Sequence, residues 1–558
     1  MLTSVRRQGP IALVVIAALL AGGIPSAGRT PAAAQPTLDE LVIRSFQIDA
    51  AITPVPLRAD ITETGGVRFL SRGLLRGTTT AAFEVTAPAP VRTARLQFDA
   101  EMTLTGVRAP GYRVVPSRHQ DALTLAFDPP LLPGARVAVT FTYEGRPLYV
   151  YDEAVLVGEG TLYPVLVSPF GDFSANLGRV TLTLTTPAGY TVGAAGRLVA
   201  RQGATTRWES EVAVPWIAIA GGRWHVVRDR TVQGRRMTFY VPAREDRNLD
   251  KLAGFLGRAI AFYSALLYPF PYAELRTVSL RVVGGGIGYP AFLLIDDRAF
   301  TNGFPGPDNR DSFLLLLMAH EAAHSYVPSQ TVPKGVGFIW LSEGFAEYLA
   351  LMAVEALLGP EAFRREVQEE RDRYAAVAGA PGEPAIAAIT FANYGAAARA
   401  VSYAKGALVL HMLRGLIGDD AFRRGLAAYF RETRGRAARL DEFQQAMERA
   451  AGRPLDDFVQ QWIYSTVLPD YTVSEVRSAV GPGGVTTTAV VRNLGGGRMP
   501  VEVGFAMDDA THIEHVEVPA HGAVPVTAVT PRPVRRVEVD PRRWLIQRNY
   551  RNDAAPVR

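Results

Sequence analysis

The sequence predicts a multidomain α+β chain with an N-terminal antiparallel β domain, a mainly helical middle and a small C-terminal β-sandwich. Three observations lead there. From Thr37 to about Tyr240 the chain runs in short alternating segments, among them Ala94 to Phe98, Arg136 to Phe141 and Arg179 to Leu184. Gly and Pro punctuate them, and the period of two is that of half-buried strands. From about Ala243 to about Pro469 the apolar residues take up helical spacing. After Asp470 alternation returns in Thr487 to Val491 and Val501 to Phe505, which suits a small sandwich. With 558 residues, 48% of them hydrophobic, the chain can bury several cores.

Taken in order, residues 1–34 read as an export signal. Arg6 and Arg7 precede an apolar run from Ile11 to Leu20, and Pro25-Ser26-Ala27 or Ala32-Ala33-Ala34 offers small residues for cleavage. The mature protein is therefore expected in the periplasm or outside the cell, with an anchor left by an uncleaved signal as the alternative. The run is short for a membrane crossing, so no stable span is expected after cleavage. Residues 35–242 form the N-terminal β domain and residues 243–470 the helical domain. That helical domain opens with Asn248 to Leu267, and later holds amphipathic Phe422 to Phe430 and Leu440 to Ala451 before a last helix with Trp462. Residues 471–558 form the sandwich, and no long internal repeat is present.

The chemistry concentrates in the middle. His320-Glu321-Ala322-Ala323-His324 puts two imidazoles four residues apart, on one face of a helix expected over Ser312 to Tyr326 with Asp311 as N-cap. Pro328, Pro333, Gly335 and Gly337 break the chain, and a second helix starts near Trp340 or Leu341 and stops at Gly359-Pro360. Glu343 falls in the first turn of that helix, where a loop return brings it against His324. Two imidazoles and a carboxylate leave one position of a tetrahedral zinc open to water. Glu321 is placed to take that water's proton. The bland alternative, two core histidines in an apolar helix, is outweighed by the correctly spaced carboxylate. One Zn2+ per chain is the expected cofactor, although this ligand set binds several divalent metals.

Two further segments carry a resemblance. Trp340-Leu341-Ser342-Glu343-Gly344-Phe345-Ala346-Glu347-Tyr348 resembles the W-L-N-E-G-F-A segment of the aminopeptidase N-like gluzincins, a zinc metallopeptidase family related also to leukotriene-hydrolase-type aminopeptidases. Ser402-Tyr403-Ala404-Lys405-Gly406 resembles the family segment with the catalytic tyrosine, which maps onto Tyr403. The resemblance implies a thermolysin-like catalytic domain behind a saddle-like β domain. It implies metal ligands His320, His324 and Glu343, Glu321 as general base, and Tyr403 as the donor to the oxyanion. The large helical C-terminal domain of many members has no counterpart here, which points to a more open site.

One departure stands out. Where bacterial members often read G-G-M-E-Y-P, this chain reads Gly285-Gly286-Ile287-Gly288-Tyr289-Pro290. Gly288 stands in place of the glutamate that binds the substrate's α-amine in the family. Gly285, Gly286 and Gly288 are still expected to line the substrate, in a tight loop and strand edge against which an extended peptide pairs. The run does not fit a dinucleotide fingerprint, since Tyr289 stands where its last glycine would fall.

Other groups weigh less. Glu347, one turn after Glu343, is expected either to support a zinc histidine or to sit in solvent. His411 is expected to pack beneath the site. His512 and Glu514 share a strand face while His515 points away, which argues against a second metal. Net charge is +5, and three of the arginines (6, 7 and 29) lie in the first 34 residues without an acid, leaving about +2. That excludes a case for nucleic-acid binding. The absence of cysteine excludes thiolate metal sites and a cysteine nucleophile. The reading is an exported zinc peptidase acting on peptides or proteins, aminopeptidase-like in its apparatus but with Gly288 in place of the amine-binding glutamate. An open-cleft endopeptidase and a non-catalytic peptide-binding protein on the same scaffold are the alternatives.

Overall fold

The computed structural model describes residues 40–557, apart from 54–58, 62–66, 70–71, 152–154, 159–161, 223–225, 233, 242–246, 281–284 and 305–309. The expected export signal lies outside the described residues. Among those described, no helix is long and apolar enough to cross a membrane.

The N-terminal region is β-rich. A ten-stranded sheet is centred on Leu41–Thr53, which pairs antiparallel with Arg72–Val85, itself antiparallel to Arg136–Tyr151. The other neighbour of Leu41–Thr53 is Arg179–Thr185, and that pair is parallel. The expected antiparallel domain thus contains a parallel pairing. Alternation shows which face a residue takes, but not which way its neighbour runs. A four-stranded sheet (Val165–Leu166, Val91–Gln97, Ala122–Leu131, Arg113–His119) accompanies it.

The sheet that matters for the site has five strands in the order Val226–Val232, Arg235–Val241, Glu274–Leu280, Phe292–Asp296 and Gly286–Tyr289. Arg235–Val241 and Glu274–Leu280 are parallel, connected through the helix Leu249–Leu266. Two strands from before residue 243 therefore build the floor beneath the helical region. Gly286–Tyr289 forms the edge, as a hairpin with Phe292–Asp296.

Helices dominate from there. Asp311–Ala323 is apolar all round, and every residue from Ser312 on is buried, as an amphipathic surface helix would not be. Its N-cap is Arg310 rather than Asp311; Asp311 lies in the first turn and pairs with Lys251 at 2.9 Å. Phe338–Leu358 starts two residues before Trp340, after Gly337 in the left-handed region at φ 75°. Pro360–Ala375, Gly406–Ile417, Asp419–Glu432, Leu440–Ala451 and Asp456–Trp462 follow, with two five-residue helices at Asp297–Thr301 and Ala396–Ala400. The strands from Tyr471 onward form two antiparallel sheets, of three and four strands.

Candidate active site

The buried helix Asp311–Ala323 brings His320 and His324 to one side, their rings 4.8 Å apart between centroids. Glu343 enters from the first turns of Phe338–Leu358. Its Oε2 is buried and accepts no hydrogen bond, yet lies 3.6 Å from His320 Nε2 and 3.5 Å from His324 Nε2. These separations are too long for hydrogen bonds. They match the edge of a tetrahedron about 3.4 Å long, the spacing of ligands that each sit about 2.1 Å from a shared zinc. An otherwise orphaned buried carboxylate oxygen converging on two imidazole nitrogens fits a cation. Among the described residues this is the one group of three His, Asp or Glu able to hold a metal.

The far nitrogens of both rings are occupied, which aims the near ones. His324 Nδ1 is 2.9 Å from the carbonyl of Val327, so Nδ1 carries the proton and Nε2 keeps its lone pair. His320 Nδ1 lies 2.6 Å from Glu347 Oε2, a close charge contact rather than a linear hydrogen bond. Glu347 is thus not a solvated carboxylate; it is 2% exposed and supports a histidine. Burial would raise the Glu343 carboxyl, but the imidazoles, led by His324, hold it well below its ordinary range.

Glu321 points into the same space. Burial pushes its carboxyl up to about 7 against the pull of His320 and His324. A bound divalent cation would draw it down again. Such a group can accept and return a proton near neutral pH.

Tyr403 closes the site from the other side, its ring stacked on that of His320 at 5.6 Å and 14°. It sits in a π-helical turn, Val401–Lys405, between two α-helical stretches. Burial and the facing Glu343 keep its phenol well above the usual range, so it remains an O–H donor. The close approach of this segment to the Glu343 helix depends on two glycines. A Cβ on Gly344 would lie 2.4 Å from Trp340 Cδ1, and one on Gly406 2.6 Å from the same atom. Trp340 Nε1 donates to the Gly406 carbonyl at 3.1 Å and locks the crossing. The glycines in the two resembling segments thus serve helix packing.

Residues 302–462, which span all of these side chains, match the Peptidase family M1 domain. Over this segment the chain is similar to the aminopeptidase N-like proteins of peptidase family M1. Its relatives include aminopeptidase M1-B of Oryza sativa subsp. japonica, 25% identical over 260 residues, which are 44% of this chain and 29% of that protein. Aminopeptidase N of Lactococcus lactis subsp. lactis is 26% identical over 277 residues, 45% of this chain and 31% of the relative. Aminopeptidase N of Lactobacillus helveticus is 27% identical, also over 277 residues, with the same two shares. The chain spans about three-tenths of the length of these relatives.

Gly285, Gly286 and Gly288 lie outside the matched M1 segment, in and beside the edge strand. That strand rests directly on the helix Asp311–Ala323 and on His324 that follows it. A Cβ at position 288 would meet the main-chain oxygen of Glu321 at 2.5 Å and His324 Cβ at 2.6 Å; one at 286 would meet Glu321 Oε1 at 2.7 Å. The hairpin is tied to the helix end, where Ala291 N–H donates to Ser325 Oγ at 3.3 Å. Position 288 thus has room for no side chain at all. Gly288→Ala should cost about 1–3 kcal/mol of stability through overpacking, read as a lowered midpoint in denaturant. An unchanged midpoint would mean that the strand yields freely.

Three functional contacts escaped the sequence reading. Tyr394, from a short loop, reaches Ser402 Oγ at 3.1 Å beside Tyr403. Val327 contributes only a carbonyl. Glu370 and Arg373 lie behind Glu347 on Pro360–Ala375, a helix whose charge-rich composition reads as solvent-facing. His411, His512 and His515 stay outside the site. His411 stacks on Trp544 at 4.3 Å and contacts Tyr348 Oη, while His512 and His515 contact different carboxylates, Glu514 and Glu502.

Proposed function

We propose that this M1 chain is an exported zinc metallopeptidase of aminopeptidase-like mechanism, with His320, His324 and Glu343 holding one zinc. The observation that carries this reading is the buried, unbonded Glu343 Oε2 placed at tetrahedral-edge distance from two imidazole nitrogens. Zinc, when bound, polarises the scissile carbonyl and acidifies water. Glu321 takes the proton of the attacking water and later delivers it to the leaving amine. The Tyr403 hydroxyl donates to the oxyanion, which bears full charge only near the transition state. The edge strand Gly286–Tyr289 pairs with the backbone of an extended peptide. In this reading residues 35–242 are the β domain, 243–470 a thermolysin-like catalytic domain that borrows two strands from before it, and 471–558 a β-sandwich.

A second reading is favoured by one specific observation. With no space for a side chain at 288, an amine-binding carboxylate cannot stand there, and the substrate's N-terminus is free to extend past the strand. That is the behaviour of an endopeptidase. Mature protein from Gln35 onward, given matched peptides with free and acetylated N-termini, separates the two. Stepwise loss of single residues from the free peptide alone is the outcome for an aminopeptidase that holds the amine elsewhere. Internal cuts in both peptides are the outcome for an endopeptidase.

A further inference from the structure

We infer that the buried ion pair of Lys405 with Glu383 is a positioning device for Tyr403: it anchors the π-helical turn and so sets where the phenol hydroxyl stands. The inference rests on the reading of Tyr403 as the oxyanion donor. Lys405 closes the turn two residues after Tyr403, and the extra residue shows there, where the Gly406 N–H reaches the Val401 carbonyl five residues back. Such a turn interrupts the α-helical ladder and needs contacts from outside to hold it in place. Lys405 supplies the strongest of them. Its side chain is 0% exposed and that of Glu383 2%, with Nζ 3.2 Å from Glu383 Oε1. A lysine is almost never buried so fully without a partner.

The partner is itself held rigidly. Glu383 Oε1 also accepts from the Tyr374 hydroxyl at 2.7 Å, and Oε2 accepts from the Gly379 N–H at 2.6 Å. The Tyr374 ring centroid lies 5.4 Å from Lys405 Nζ, within reach of a cation–π contact. The turn's other ties, Tyr394 with Ser402 Oγ and Trp340 with the Gly406 carbonyl, are single neutral hydrogen bonds. The charge-assisted one outweighs each of them. Its direction matters as much as its strength. A shift of the extra residue along the helix turns the side chains it passes by about 100°. Lys405 would swing away from Glu383, and two buried charges would lose their partners. The pair therefore survives only while the extra residue stays where it is, and that placement lays Tyr403 on His320.

The test is steady-state peptide hydrolysis by Lys405→Met and by the double variant Lys405→Met/Glu383→Gln, each made in the wild-type and in the Tyr403→Phe background. The double variant leaves no buried charge unpaired, so it keeps the fold and decides alone should the single variant lose it. In the wild-type background kcat is expected to fall by about tenfold or more, as for a misplaced reacting group. KM should move by about twofold or less. On Tyr403→Phe the same substitutions should change kcat by about twofold or less, because no hydroxyl is left to misplace. Wild-type kcat in either variant overturns the inference. Equal losses in the two backgrounds overturn it too, since general damage to the fold would appear in both. Tyr403→Phe that itself keeps wild-type kcat would instead fell the oxyanion reading on which the inference stands.

Discussion

Glu321→Gln should lower kcat/KM by about a thousandfold, the loss of a well-placed general base, while zinc content and the thermal midpoint stay at wild-type values. The side chain is nearly isosteric, and among the described residues its carboxylate makes no hydrogen bond; its neighbours are the imidazoles and the glycine strand. Gln removes the proton acceptor and leaves the metal ligands untouched. Parallel measurement of hydrolysis and of zinc by emission spectroscopy checks both halves. Full activity in the variant would remove Glu321 from the chemistry. Stoichiometric zinc in a wild type that cleaves no peptide would instead favour the peptide-binding alternative.

The second large effect is expected at Tyr403. Tyr403→Phe keeps the ring stacked on His320 and deletes only the hydroxyl. Removing one donor to an oxyanion costs about 100-fold or more in kcat. KM should move by about twofold or less, because an interaction made only in the transition state leaves ground-state binding alone. Steady-state kinetics on one good peptide separate the two constants. A rise in KM at constant kcat would make Tyr403 a substrate-binding residue instead.

Much of the site was legible in the sequence because its chemistry is local. His320, Glu321 and His324 share one helical turn, and Glu343 follows at a helix start, so a period and one loop suffice to bring them together. Trp340, Gly344 and Gly406 were legible as a resemblance, and the structure adds the reason for the glycines. The rest depends on pairings between distant segments. Nothing in the alternation of Leu41–Thr53 reveals that Arg179–Thr185 runs parallel to it. Arg235–Val241 looks like the close of the β region, yet it joins Glu274–Leu280 under the site. Glu370 was hidden by its neighbours: in a helix crowded with Glu and Arg, a buried carboxyl has the same composition as a solvated one.

The π-helical turn at Val401–Lys405 gives the chain a particular kind of vulnerability. Such a turn amounts to one residue more than an α-helix needs, inserted into a helix that otherwise continues on both sides. Loss of any one codon there would restore regular helix, gain ordinary hydrogen bonding, and rotate one flank against the other by about 100°. The fold would survive such a deletion better than the aim of the phenol would. A lineage that needs Tyr403 over the histidines must therefore carry an imperfection that drift toward a more regular helix would tend to erase.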